Sequence, residues 1–399
     1  MNLKNAKFIL LRTHQAALDN SERALGVVLV SGPGVGKSDV VGYEYPHDLA
    51  LALGQPVGCV IEMLATITSA DVRGFMIPIK AANPGELPQT VFSLPPWYPT
   101  HANTYVFEPV KTKSGMRVKF WPRGTWEGDL PDVGVLFLDE FGQADEEIKK
   151  PAAELIYKGN VGTTELPIGW RVIAASNRVS DRSGVMRELM FVVNRRMLIN
   201  VTAEVQPWVE WADGLPAGKA LHDMTVTFAQ KHPGVVFKDA IPDGDAPFCT
   251  PRTLVMMDRM LRSLSSQEDI ENNVLPMSDI AREAAAGCIG EGSAGQFYSH
   301  MRFFHEIPSL EEIVDDPKDV KIPAGRDGQM VAVYMIARRI TEENASSLVT
   351  YVARFTDEMQ ILACGVFNST PQAQKILMST REYQAMLHRH GSRLRAAEA

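Results

Sequence analysis

The chain has 399 residues, 45% of them hydrophobic and 22% charged, with a formal net charge of −8. That length admits two or three domains around a sizeable core, and the acidic balance disfavours broad non-specific binding to nucleic acid while leaving room for a local basic channel. Cys59, Cys249, Cys288 and Cys364 are scattered without a C-x-x-C pair, no apolar run approaches a membrane span, and no apolar segment precedes a cleavage site near Met1; no disulfide framework, cysteine metal cluster or membrane contact is expected, and the setting is expected to be reduced and cytoplasmic.

Residues 3–25 carry apolar positions Leu3, Phe8, Ile9, Leu11, Ala16, Leu18 and Leu25 at spacings that fit a helix ending at Gly26. Val27 to Val30 reads as a short buried strand, followed by Ser31-Gly32-Pro33-Gly34-Val35-Gly36-Lys37-Ser38 and a helix start. Strand, glycine-rich loop and helix in that order are the context of a phosphate-binding P-loop. Gly32, Pro33, Gly34, Val35 and Gly36 supply a backbone cradle whose N–H groups turn toward an anion, aided by the helix N-terminus. Lys37 is placed to reach the β- and γ-phosphates and the Ser38 hydroxyl to ligate Mg²⁺. The strict pattern has glycine where Ser31 stands, but serine is small and turn-compatible. An ordinary Gly/Pro turn is the alternative, and the flanking strand and helix weigh against it.

Pro46 is expected to end or kink the helix after Lys37, with a second helical segment from Asp48 to Leu53. Val57 to Met63 reads as another buried strand. A long irregular stretch from about 75 to 132 follows, rich in proline and aromatics, in which no element can be placed from the pattern. At Val135-Leu136-Phe137-Leu138-Asp139-Glu140 an apolar strand ends in two carboxylates. In a P-loop protein Asp139 holds the Mg²⁺ through water and Glu140 orients or deprotonates the attacking water; two solvated acids at a strand end are the alternative. Residues 144–158 fit a helix, Val161 to Trp170 a hairpin or loop, and Arg171 to Ser176 a strand ending at Asn177. Asn177 either bonds the γ-phosphate or its water, or forms a turn.

Arg195 and Arg196 precede the short strand Met197 to Val201. They fit a surface pair, or the guanidinium that neutralises charge on a transferring phosphate. From Val205 the pattern is helical, with Trp208 and Trp211 on one helix face. Thr250-Pro251-Arg252 opens a helix, and Arg252 sits where a cation gains nothing from the helix dipole. Ile313 to Pro323 reads as an acidic linker, and the remainder to Ala399 as helices with a charged end.

P-loop, Asp-Glu strand end, Asn strand end and arginines stand in the order that resembles the AAA+ ATPases, within them the MoxR-like family, including members encoded in bacteriophage genomes. Ser31 to Ser38 looks like Walker A, Val135 to Glu140 like Walker B, and Asn177 falls where sensor 1 would. Arg195 falls on the position of the arginine finger, with Arg196 its competitor, and Thr250-Pro251-Arg252 resembles sensor 2. Asp71-Val72-Arg73-Gly74 is similar to the stretch that carries the family's helix-2 insert, and Val161 to Trp170 matches the hairpin before sensor 1. The resemblance spans about residues 20–265. It implies an α/β P-loop core with a parallel sheet (1–205), an α-helical lid (206–300) and a helical C-terminal section (301–399). It also implies ATP and Mg²⁺ as cofactors and a ring, a hexamer by analogy, in which Arg195 serves a neighbour's site. Arg252 would report nucleotide state, and the work would be remodelling or maturation of a client protein, such as one with a von Willebrand A domain. A nucleic-acid-dependent motor, helicase or restriction-type translocase is the first rival, carried by the basic run Lys111, Lys113, Arg117, Lys119 and Arg123. A nucleotide-gated assembly scaffold is the second.

Overall fold

The computed structural model describes residues 1–80, 87, 89–178, 196–238, 241–242, 244–271 and 274–397. The chain divides into two compact units, one spanning Met1–Ala203 and one built from Glu204–Lys238 and Pro242–Ala399.

The first unit is an α/β layer structure. Its strands are β1 (Val27–Ser31), β2 (Val57–Met63), β3 (Met76–Ile79), β4 (Gln89–Phe92), β5 (Tyr105–Thr112), β6 (Gly115–Trp121), β7 (Val133–Asp139), β8 (Asn160–Val161), β9 (Thr164–Glu165), β10 (Trp170–Asn177) and β11 (Met197–Asn200). Seven form one sheet in the order β11-β1-β10-β7-β2-β5-β6. The first five are mutually parallel, and β5 and β6 add an antiparallel hairpin at one edge. The parallel strands are apolar at nearly every position because both of their faces are covered. Val27, Leu29, Cys59, Val135, Phe137 and Ile173 belong to one core. Val28, Val60, Leu136, Leu138, Val172 and Ala174 belong to the other. Helices α1 (Leu3–Asp19) and α3 (Tyr45–Leu53) lie on the first face, and α4 (Ser69–Arg73) and α5 (Glu146–Lys158) on the second.

The sheet is drawn tight where Trp170 crosses it. Trp170 is fully buried and donates its indole N–H to Pro131 O at 3.0 Å. A Cβ added at Gly134 would stand 2.4 Å from its Cε2, and one at Gly58 2.6 Å from its Cζ2. Only glycine lets the neighbouring strands pass under that ring.

Three local expectations need correcting. The helix after the P-loop does not stop at Pro46: α2 (Lys37–Asp39) runs through a π-helical turn, Val40–Glu44, directly into α3. The wider i→i+5 turn loosens the backbone just where the proline ring would meet the preceding carbonyls, and Pro46 falls in the first turn of α3. The first helix ends at Asp19, well before Gly26. The stretch from 75 to 132 holds two hairpins, β3–β4 and β5–β6.

Among the described residues the second unit is helical. Met224, Phe228, Leu254, Met257 and Phe297 make one core, and Ile336, Leu348, Tyr351, Phe367 and Tyr383 another. The expected boundary between residues 300 and 301 falls inside the helix Glu291–Phe304. The supposed linker after Ile313 begins within a helix, Leu310–Asp315, closed by a Ser309–Glu312 capping box and anchored by fully buried Ile313. Ion pairs fasten the helix Arg326–Arg339 to the helices Val205–Asp213 and Asp223–Lys231. Arg338 is 6% exposed and donates to Asp213 through Nε and to Asp223 through Nη1, both at 2.8 Å. Arg339 shares Asp223 at 2.8 Å, and Lys231 pairs with Asp327 at 2.8 Å.

Candidate functional site

The carboxyl ends of β1, β10 and β7 emerge side by side, which is where open parallel sheets bind ligands. Register fixes this: Ser31 is opposite Asn177, and Ala174 is opposite Leu138, one residue before Asp139. Gly34 and Gly36 take φ of 72° and 101°, left-handed values that admit glycine without strain. The loop therefore curls back over β1 and delivers Lys37 and Ser38 to the start of α2.

Lys37 is 7% exposed, with Nζ turned inward. It donates to Ser31 Oγ at 2.6 Å, to Asn177 Oδ1 at 3.2 Å and to Gly32 O at 3.3 Å. The Ser38 hydroxyl donates to Asp139 Oδ2 at 2.6 Å. Asp139 Oδ1 accepts from the Glu140 backbone N–H at 2.9 Å. Glu140 itself sits at φ 56°, ψ 30°, left-handed and half-buried, at the break between β7 and the short 3₁₀ turn Phe141–Gln143. Motif residues from three strands thus meet in one place: Lys37, Ser38, Asp139 and Asn177 are joined by hydrogen bonds, and Glu140 follows Asp139.

The donor chemistry fits a small hard cation. Ser38 Oγ and Asp139 Oδ2 are oxygen donors side by side, the atom type that Mg²⁺ takes directly or through water. At the end of β2, Glu62 lies one residue before Met63, the register partner of Asp139. Burial raises its pKa, partly opposed by Arg123, which donates to Ile61 O at 2.9 Å.

The arginines divide. Arg195 lies outside the described residues. Arg196 is directed into its own chain, its guanidinium 5.3 Å from the centre of the Phe141 ring, and burial lowers its pKa to about 10. Arg252 belongs to the second unit, in the first turn of the helix Pro251–Ser263, behind a Thr250–Thr253 capping box. Among the described residues, sequence reasoning missed the contact of Ser31 with Lys37. The serine's departure from glycine at the loop's first position was the available signal.

No family model matches the chain, and no curated protein matches it. Among solved structures the chain is similar to the RuvB Holliday junction branch migration motor of Thermotoga maritima, at 12% identity over 80% of this chain and 77% of that one, with a TM-score of 0.38. It is similar to NtrX of Brucella abortus, at 13% identity over 81% and 67%, with a TM-score of 0.34. For NtrX in complex with ADP the figures are 13%, 97% and 68%, with a TM-score of 0.32. At these values the fold and the site stand on their own geometry.

Proposed function

We propose that the chain is an AAA+ ATPase of MoxR type that binds ATP at the P-loop, hydrolyses it within a ring, and uses the cycle to remodel or mature a client protein. The observation that carries the reading is the convergence of Lys37, Ser38, Asp139 and Asn177 at one sheet edge, with Glu140 beside them. Lys37 holds the β- and γ-phosphates, and Ser38 with Asp139 holds Mg²⁺, which neutralises phosphate charge when bound. Glu140 orients the attacking water and takes its proton, while Asn177 bonds the water or the γ-phosphate. Arg195 acts in a neighbour's site, and Arg252 follows nucleotide state from the second unit. Of the two arginines, Arg195 is the better candidate, since Arg196 stacks on its own Phe141.

The client reading is supported by the hairpin β3–β4. Phe75, Met76, Ile77, Ile79, Leu87 and Phe92 around it are all exposed, so an apolar patch faces outward on both sides of a two-stranded ribbon. Such a ribbon is marginal alone, and an exposed apolar patch marks a protein-binding surface. The rival nucleic-acid motor draws on β5–β6, where Arg117 and Lys119 lie on an edge strand. Lys119 stacks 3.5 Å over Trp121, and lysines on sheet edges commonly serve to block unwanted pairing. Phosphate release by wild type and Glu140→Gln, with and without DNA, decides among these. We expect a loss of at least about 100-fold in the variant, which should also retain ATP and trap the client in a pull-down. Equal slow release by both would leave a scaffold, and tenfold stimulation by DNA would replace the client reading.

A further inference from the structure

The strict phosphate-loop pattern has glycine where Ser31 stands, yet its side chain is fully buried and fully used. Ser31 Oγ donates its one proton to Gly32 O at 2.7 Å. Its lone pairs are left to accept from Lys37 Nζ at 2.6 Å, shorter than the lysine's bonds to Gly32 O and Asn177 Oδ1. Glycine at this position could offer no such acceptor. Gly32 O and Asn177 Oδ1 also accept from Lys37 Nζ, and Asn177 is the register partner of Ser31 on the adjacent strand. Among the described residues these acceptors at the strand ends draw the ammonium inward. A phosphate oxygen that engages Nζ competes with these acceptors, Ser31 Oγ foremost.

We propose that Ser31 is a positioning residue: its hydroxyl clasps Lys37 against the floor of the loop, so that a nucleotide must compete with the serine for the lysine. The proposal rests on the loop being a nucleotide site. The clasp stabilises the inward lysine more than the phosphate-bound one, so removing the hydroxyl tightens triphosphate binding, by about three- to tenfold. It also frees the amine for chemistry in the absence of nucleotide.

Two measurements on the full chain test this, using Ser31→Ala and Ser31→Gly, the latter restoring the residue of the strict pattern. The first is the rate at which an acylating reagent labels Lys37 without nucleotide, read by peptide mass spectrometry against exposed Lys375 as internal standard. Labelling should rise several-fold in both variants; a rate equal to wild type would overturn the clasp. The second is the affinity for ATP and for AMP, which lacks the phosphates that Lys37 reaches. ATP should bind more tightly and AMP unchanged, whereas unchanged or weaker ATP binding in both variants would show that the serine does not compete. Lys37→Ala separates the two levels. If that variant kept full ATP affinity, the nucleotide-site reading would fall, while the labelling result would still decide the clasp.

Discussion

Glu140 and Ser21 are the non-glycine residues with positive φ among those described, and Glu140 is the one at the site. A left-handed side-chain-bearing residue costs about 1 kcal/mol and persists where surrounding structure enforces it. Here β7 ends, Asp139 accepts the Glu140 N–H, and the Gln143 N–H bonds Glu140 O, so the chain must turn sharply at this residue. Replacing Glu140 with glycine should therefore stabilise the first unit by roughly 1 kcal/mol while abolishing turnover. Glu140→Gln should abolish turnover with no such gain. Urea midpoints measured beside phosphate release would test the pair, and a destabilised glycine variant would contradict the strain. The carboxylates and the lysine were legible in the sequence because each occupies a fixed offset from an apolar run. The strain at Glu140 and the clasp at Ser31 were not, since both depend on where neighbouring strands end in space.

At the scale of elements, legibility followed burial. β1, β2, β7 and β10 are buried over most of their length and appear as largely apolar runs, interrupted in β10 by Arg171. β3, Met-Ile-Pro-Ile, is exposed and interrupted by a proline, while β6 does alternate from Met116 to Phe120, a period-2 signal lost among the prolines and aromatics around it. The helix Leu310–Asp315 did carry a signal, the serine and glutamate of its capping box, which the surrounding acidic residues obscured. Helix α4 carried the same signature in Thr68 and Asp71. The packing of Trp170 over Gly134 makes a sharp prediction. Gly134→Ala would place a methyl 2.4 Å from the indole, an overpacking that neither strand can relieve by a rotamer change. We expect a loss of at least about 2 kcal/mol, seen as a lower urea midpoint at unchanged slope. A variant as stable as wild type would mean that the indole can shift.

At the scale of the whole molecule, each unit holds a buried neutral histidine. His14 lies between the Tyr45 hydroxyl at 2.7 Å and Gly169 O at 3.0 Å, and burial, with Arg171 nearby, lowers its pKa to about 4. His300 accompanies Thr227 at 2.9 Å, and burial lowers its pKa to about 3. An unfolded histidine takes its proton near pH 6.5, so the unfolded chain binds more protons than the folded one below that pH. Stability should hold above about pH 6.5 and fall as the pH drops toward 4, with His14 alone contributing roughly 3 kcal/mol of loss by pH 4. Thermal melts from pH 7.5 to 4.5 should show the decline, and His14→Gln should flatten it in the first unit. An unchanged slope would place the proton uptake elsewhere. The ion pairs of the second unit carry a mechanical consequence. Arg338, Arg339 and Lys231 bolt the helix Arg326–Arg339 to the first two helices after Glu204, so the C-terminal section is an outrigger on the same frame. Asp223 is the acceptor that Arg338 and Arg339 share, so Asp223→Ala would leave Arg338–Asp213 and Lys231–Asp327 to hold the C-terminal section to that frame.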